Sequence, residues 1–107
     1  MTAKERDAAI RDYFDECMAK MRAKGKDYSG EIDCLRNLSR HGLKGIVVRL
    51  GDKYERIDNL VWNDRKAAVD DESVGDTLID IINYCFLALI FLDKENGATD
   101  ERGKTSK

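Results

Sequence analysis

The sequence predicts an all-α domain, on three observations. It contains no proline in 107 residues. Apolar residues recur at spacings of three and four in three separate stretches, and strand-like alternation is scarce. At 42% hydrophobic content the chain has enough apolar material for one core, placed as a single domain over 1–94 with a flexible tail over 95–107. A domain of this size is small enough for a second subunit to complete it.

The first stretch runs from about Ala3 to Lys24. Ala9, Ile10, Tyr13, Phe14, Cys17, Met18 and Met21 form an inward stripe, and Gly25 is the expected stop. The segment KGKDYSGE then reads as a connection that brings Lys26, Asp27 and Tyr28 together. Lys26 is placed to meet a phosphate, and Tyr28 either stacks on a base or anchors the connection by packing its ring. Glu31 to Arg40 reads as a short helix with Ile32, Leu35 and Leu38 inward, closed by a turn at His41-Gly42. His41, the single histidine, has no Ser, Cys or Asp beside it at a spacing that would build a nucleophilic triad.

A second long pattern covers Leu43 to Asn63, with Leu43, Ile46, Val47, Leu50, Tyr54, Ile57 and Val61 inward. Gly45 and Gly51 each weaken it by about 1 kcal/mol relative to alanine, so close packing or an irregularity is expected there. At the edge of its stripe Lys53 and Arg56 lie together, suited to gripping phosphates. Asp52 and Glu55 project more nearly opposite. NDRKAAVDD after Trp62 is a connection, with Asp70 or Asp71 placed to cap the next helix.

That next stretch, Glu72 to Leu92, is apolar on nearly every side yet carries acids. Glu72, Asp76, Asp80 and Asn83 fall in one stripe, where neighbouring side chains sit about 5–6 Å apart at Cβ. Crowded carboxylates in an apolar setting cost several kcal/mol each unless something positive joins them. Mg²⁺, with oxygen ligands and a partial water shell turned to substrate phosphates, is one answer. Salt bridges from a neighbouring helix are the other. On the metal reading, Asp76→Asn relieves repulsion, so the metal-free fold should hold or gain stability. The apolar run from Leu78 to Leu92 is broken by Asp80 and Asn83 and is shorter than the roughly 20 apolar residues that span a bilayer.

Composition excludes other classes. With 19 basic and 21 acidic residues the formal charge is −2, which argues against a nucleic-acid-coating protein and gives no electrostatic case for membrane binding. Cys17, Cys34 and Cys85 form no CxxC or Cys/His cluster, so a reducing cytoplasm is expected. The first fourteen residues lack the apolar core of a secretory signal. The nearly all-round apolar character of the last helix predicts a homo-oligomer.

The segments DYSG, RLGDKYERIDNL and ESVGDTLIDIINY together resemble the MazG-like all-α nucleoside triphosphate pyrophosphohydrolases, and more narrowly their small phage-encoded nucleotide-modification-associated branch. The resemblance covers about 24–92 and is strongest at Glu72, Asp76 and Asp80 with Asn83-Tyr84. It implies a helical bundle assembled as a homodimer or homotetramer. It also implies Mg²⁺-dependent cleavage, with Mn²⁺ a possible substitute, of a ribo- or deoxynucleoside triphosphate to the monophosphate and pyrophosphate, in phage nucleotide-pool control in the host cytoplasm. Where the family carries ExxE and ExxD pairs, this chain has Asp52 and Glu55 as DxxE, and Glu72 and Asp76 four apart, with Asp80 one turn on.

Carried onto these positions, Asp52, Glu55, Glu72, Asp76 and Asp80 hold metal, and Glu55 and Asp76 serve catalysis, Glu55 by orienting water. Lys26, Lys53 and Arg56 bind phosphates, and Asp27, Tyr28, Asn83 and Tyr84 contact base or sugar. The competing classes are a nucleotide- or metal-binding module without turnover and a helical interaction protein whose acidic stripe meets a basic partner.

Overall fold

A helix at the N-terminus begins where its sequence supplies a reciprocal cap. In the computed structural model, which describes residues 1–28, 36–62 and 73–97, the Thr2 hydroxyl accepts from the Glu5 backbone N–H at 3.0 Å and the Glu5 carboxylate accepts from the Thr2 N–H at 2.8 Å. Two of the first-turn N–H groups are thereby satisfied. Helix α1 spans Ala3–Tyr28. It continues through Gly25, so the expected stop is not used and Lys26, Asp27 and Tyr28 belong to its last turn, not to a connecting loop. A single mid-helix glycine costs only about 1 kcal/mol, which the helix on either side outweighs.

All regular structure among the described residues is helical. After α1 come α2 (Arg36–Ser39), α3 (Gly42–Trp62) and α4 (Val74–Glu95). The chain divides into two compact units, Met1–Asn37 and Leu38–Lys107. In the first, Cys17 is buried while Ile10, Tyr13 and Phe14 are exposed, so the inward stripe expected along α1 is covered only in part. Burial pushes the Cys17 thiol above its ordinary pKa, and the neighbouring Glu16 charge acts in the same direction.

In the second unit α3 packs along α4. The turn between α2 and α3 falls where the sequence places it: the His41 N–H donates to the Leu38 carbonyl, and Gly42 takes a φ of +60°, a conformation that glycine adopts without strain. Gly45 is required for a different reason. A Cβ there would stand 2.6 Å from the His41 Cβ, so the close approach expected at this glycine is to the turn preceding the helix. Gly51 has open space around it and interrupts nothing.

Ile46 on α3 and Ile79 and Phe91 on α4 are the buried apolar residues of this unit among those described, joined by Thr77 and Asn83. Val47, Tyr54 and Val61, expected inward, are exposed. Their spacing of seven places them on one line beside the Leu43, Ile46, Leu50 and Ile57 face. Trp62 is 79% exposed.

The cap of α4 is Ser73, within a capping box, where Asp70 or Asp71 was expected. At the other end the helix runs past Leu92 to Glu95, where the Asn96 N–H returns to the Leu92 carbonyl and Gly97 adopts positive φ. At 22 residues α4 is long and apolar enough to cross a membrane by length and composition alone, which the shorter run read from the sequence did not suggest. One side of it packs against α3 and carries the ion pair described below, while Leu78, Ile82, Leu89, Ile90 and Leu92 are exposed.

Candidate functional site: a cationic groove between two helices

Arg49, Lys53 and Arg56 lie four and three residues apart on α3, so helical periodicity puts them on one side of the helix. Thr77, Asp80 and Tyr84 follow the complementary spacing on α4. Because the two helices run antiparallel, the sets meet rung by rung. The Arg56 Nε donates to the Thr77 hydroxyl at 3.2 Å, the Lys53 ammonium pairs with the Asp80 carboxylate at 3.1 Å, and the Arg49 guanidinium donates to the Tyr84 hydroxyl at 3.4 Å. Thr77 is fixed in turn, since its hydroxyl donates to the Ser73 carbonyl one helical turn back at 2.9 Å.

Burial grades along this ladder. Thr77 is buried, the Asp80 and Lys53 side chains are 12% and 27% exposed, and Arg49 is exposed. Where the ladder opens to solvent, Arg49, Asp52, Lys53, Arg56 and Tyr84 line an open groove of about 440 Å³. Three cations and one carboxylate surround it, with a phenol at one edge. Guanidinium groups present a planar fork that matches phosphate oxygens, and their positions on rigid helices fix them in advance.

The structure therefore brings together Asp52, Lys53, Arg56, Asp80 and Tyr84 among the residues singled out from sequence, with Asp52 at the groove wall and Asp80 against Lys53. Glu55 is exposed on α3 and does not line the groove. Asn83 lies on α4, buried. Glu72 falls outside the described residues. Lys26, Asp27 and Tyr28 end α1 in the other unit, and their side chains are not among those described.

Asp76 has a structural role. Its carboxylate accepts from the Ser73 N–H at 3.1 Å and the Ser73 hydroxyl at 3.0 Å, while the Asp76 N–H donates back to that hydroxyl at 3.0 Å. An anion in the first turn also meets the positive end of the helix dipole. These capping bonds argue against the expectation that the metal-free fold holds or gains stability when Asp76 is neutralised. Among the described residues no three His, Cys, Asp or Glu side chains gather closely enough to hold a metal ion.

Sequence reasoning missed Arg49 and Thr77. The signal for Arg49 is its place four residues before Lys53 in the same row. Thr77 carries no signal until the helix register is known, because threonine on an apolar helix is ordinarily unremarkable.

Residues 43–92 match the family model described as nucleotide modification associated domain 1. That match takes in just under half of the 107-residue chain, and it contains every rung of the α3/α4 ladder. No curated protein and no solved structure matches the chain.

Proposed function

We propose that the protein binds a nucleoside triphosphate through its phosphates in the α3/α4 groove and cleaves it to the monophosphate and pyrophosphate, as a MazG-like pyrophosphohydrolase acting in the cytoplasm. One observation carries this reading: Arg49, Lys53 and Arg56 converge on one groove inside the segment that matches a nucleotide-modification-associated domain. The three cations are spread over about 10 Å of helix, at a rise of about 1.5 Å per residue. Such a row suits a linear chain of phosphates better than a single one.

The chemistry follows from what lines the groove. Arg56, held by Thr77, and Lys53, held by Asp80, neutralise charge that gathers on a departing pyrophosphate. Arg49 sits at the exposed end, beside Tyr84, whose ring offers a face for a base or sugar. Asp52 is the α3 carboxylate that lines the groove, so it has the better position to orient an attacking water, ahead of Glu55.

The MazG-like reading also calls for Mg²⁺. The described carboxylates do not fit that ion by themselves, since Asp76 is engaged by the Ser73 cap, Asp80 by Lys53, and no third ligand joins them. The same engagement favours a second reading, a module that holds the nucleotide without turnover.

The experiment that separates the two is incubation of the pure protein with each ribo- and deoxynucleoside triphosphate, with and without Mg²⁺, followed by assay of pyrophosphate against inorganic phosphate. Pyrophosphate release matched by monophosphate supports the enzyme. Saturable binding with no product supports the module. Neither binding nor product would remove the groove from nucleotide chemistry altogether.

A further inference from the structure

Thr77 stands where a valine would serve the packing of α4 equally well. It is 2% exposed, and a hydroxyl so deeply placed costs free energy unless its hydrogen bonds are made. Both are made, and their direction is forced. A hydroxyl has one proton to give, a carbonyl can only accept and a guanidinium can only donate. The proton therefore goes to the Ser73 carbonyl at 2.9 Å, and the oxygen accepts from the Arg56 Nε–H at 3.2 Å.

The helix itself does not need this hydroxyl. The Ser73 carbonyl already accepts the Thr77 backbone N–H at 3.0 Å, so it stays satisfied when the side chain is replaced. What the hydroxyl adds falls on Arg56. That residue is half-buried and lines the groove. Its guanidinium is planar with donors in a rigid fork, so a bond at Nε sets the plane in which the other donors lie. The anchor is firm at its far end too, because the Ser73 N–H and hydroxyl both donate to Asp76 within the capping box. Cap, threonine and arginine form one connected set across α4 and α3.

We infer that Thr77 is a positioning residue for phosphate binding: its hydroxyl orders the Arg56 guanidinium before any ligand arrives. Arginine has a long stem with many rotamers, and a ligand that must order such a side chain loses affinity by about 3- to 10-fold. Thr77 removes that loss. The inference rests on the proposed binding of phosphates in the groove, and goes beyond it by giving a buried residue that lines no part of the groove a defined share of the affinity.

Thr77→Val and Thr77→Ser separate this role from packing. Valine keeps the branched shape and deletes the hydroxyl; serine keeps the hydroxyl and deletes a buried methyl. Calorimetric titration of the full chain with inorganic triphosphate should show a dissociation constant raised by about 3- to 10-fold in Thr77→Val and within about 2-fold of the wild type in Thr77→Ser. Thermal unfolding without ligand should rank them the other way, with serine the less stable. In an Arg56→Met background, Thr77→Val should have no further effect on affinity. The Arg56 Nε–H resonance adds a reading that needs no ligand: its exchange with water should be slow in the wild type and Thr77→Ser and fast in Thr77→Val. Should the valine variant not fold, Thr77→Cys replaces it, since a thiol is a poor acceptor. A wild type that binds triphosphate while Thr77→Val binds equally well, equal weakening by valine and serine, a valine effect that persists without Arg56, or fast Nε–H exchange in the wild type would each overturn the positioning role alone. A wild type that binds no triphosphate although its Arg56 Nε–H is protected would overturn the phosphate reading of the groove and this inference with it.

Discussion

Removing the ammonium of Lys53 tests the ladder at its middle rung. In Lys53→Met the Asp80 carboxylate, 12% exposed, loses the partner that stands 3.1 Å away. Exposed pairs are worth about 0–1 kcal/mol, and breaking a fully buried pair costs about 3–5 kcal/mol. Asp80 lies closer to the buried limit but keeps some contact with solvent and makes at least one further interaction, which places the cost of Lys53→Met at about 2 kcal/mol. The reciprocal change is cheaper. In Asp80→Asn the orphaned group is an ammonium that is 27% exposed on a flexible stem, so about 1 kcal/mol is expected.

The double variant Lys53→Met/Asp80→Asn leaves no uncompensated charge, so its cost should fall short of the sum of the single changes by about 1 kcal/mol. Urea unfolding at a common slope reads all three differences. With a slope of about 1–3 kcal/mol per molar, the Lys53→Met midpoint should fall by about 1 M. Equal costs for the two single variants, together with strict additivity in the double, would show that the pair makes no net contribution and that the groove is not held by this rung.

Three further outcomes follow from the same geometry. Asp76→Asn should lower the stability of the metal-free protein by about 0.5–1 kcal/mol, because it removes an anion from the first turn of α4, and thermal unfolding with a chelator present should show the loss; a variant as stable as the wild type would refute the cap. Arg49→Met should weaken nucleotide binding by roughly 10- to 100-fold, the equivalent of about 1.5–3 kcal/mol for a charged hydrogen bond, with a urea midpoint near that of the wild type because Arg49 is exposed; unchanged affinity would take Arg49 out of the site. Cys17, buried and with its thiol pKa raised, should alkylate more slowly at neutral pH than exposed Cys85 in dilute protein, with its rate still climbing as pH rises past the ordinary thiol pKa; mass mapping of the two sites checks the order.

The helical class and the three long helices were legible because their apolar residues keep one period for about four to five turns. Helix ends were less so. Thr2 with Glu5 and Ser73 with Asp76 are both capping-box patterns written in the sequence, but in the second the acid also fits a metal-binding stripe, and residue types alone do not separate those roles. Gly25 illustrates the opposite error, since a glycine is a stop only where the chain needs to turn.

The pairing of α3 with α4 lies deeper. Lys53 and Arg56 stood out as phosphate-binding types, yet their partners Asp80 and Thr77 follow from the register between two helices, which neither segment specifies alone. Once that register is known, Arg49 against Tyr84 is the next rung up. The line at Val47, Tyr54 and Val61 is exposed and not inward for a related reason: periodicity shows that a face is apolar, not whether the same chain covers it.

The central claim, that phosphates of a nucleoside triphosphate lie along the α3 cations, is tested most directly by amide chemical-shift mapping during titration with each triphosphate. The account predicts saturable shifts concentrated at residues 49–56 of α3 and 77–84 of α4, reproduced in part by inorganic triphosphate and reached in Arg49→Met only at correspondingly higher concentrations. Saturable shifts centred away from those two segments, or no shifts with any triphosphate, would contradict it.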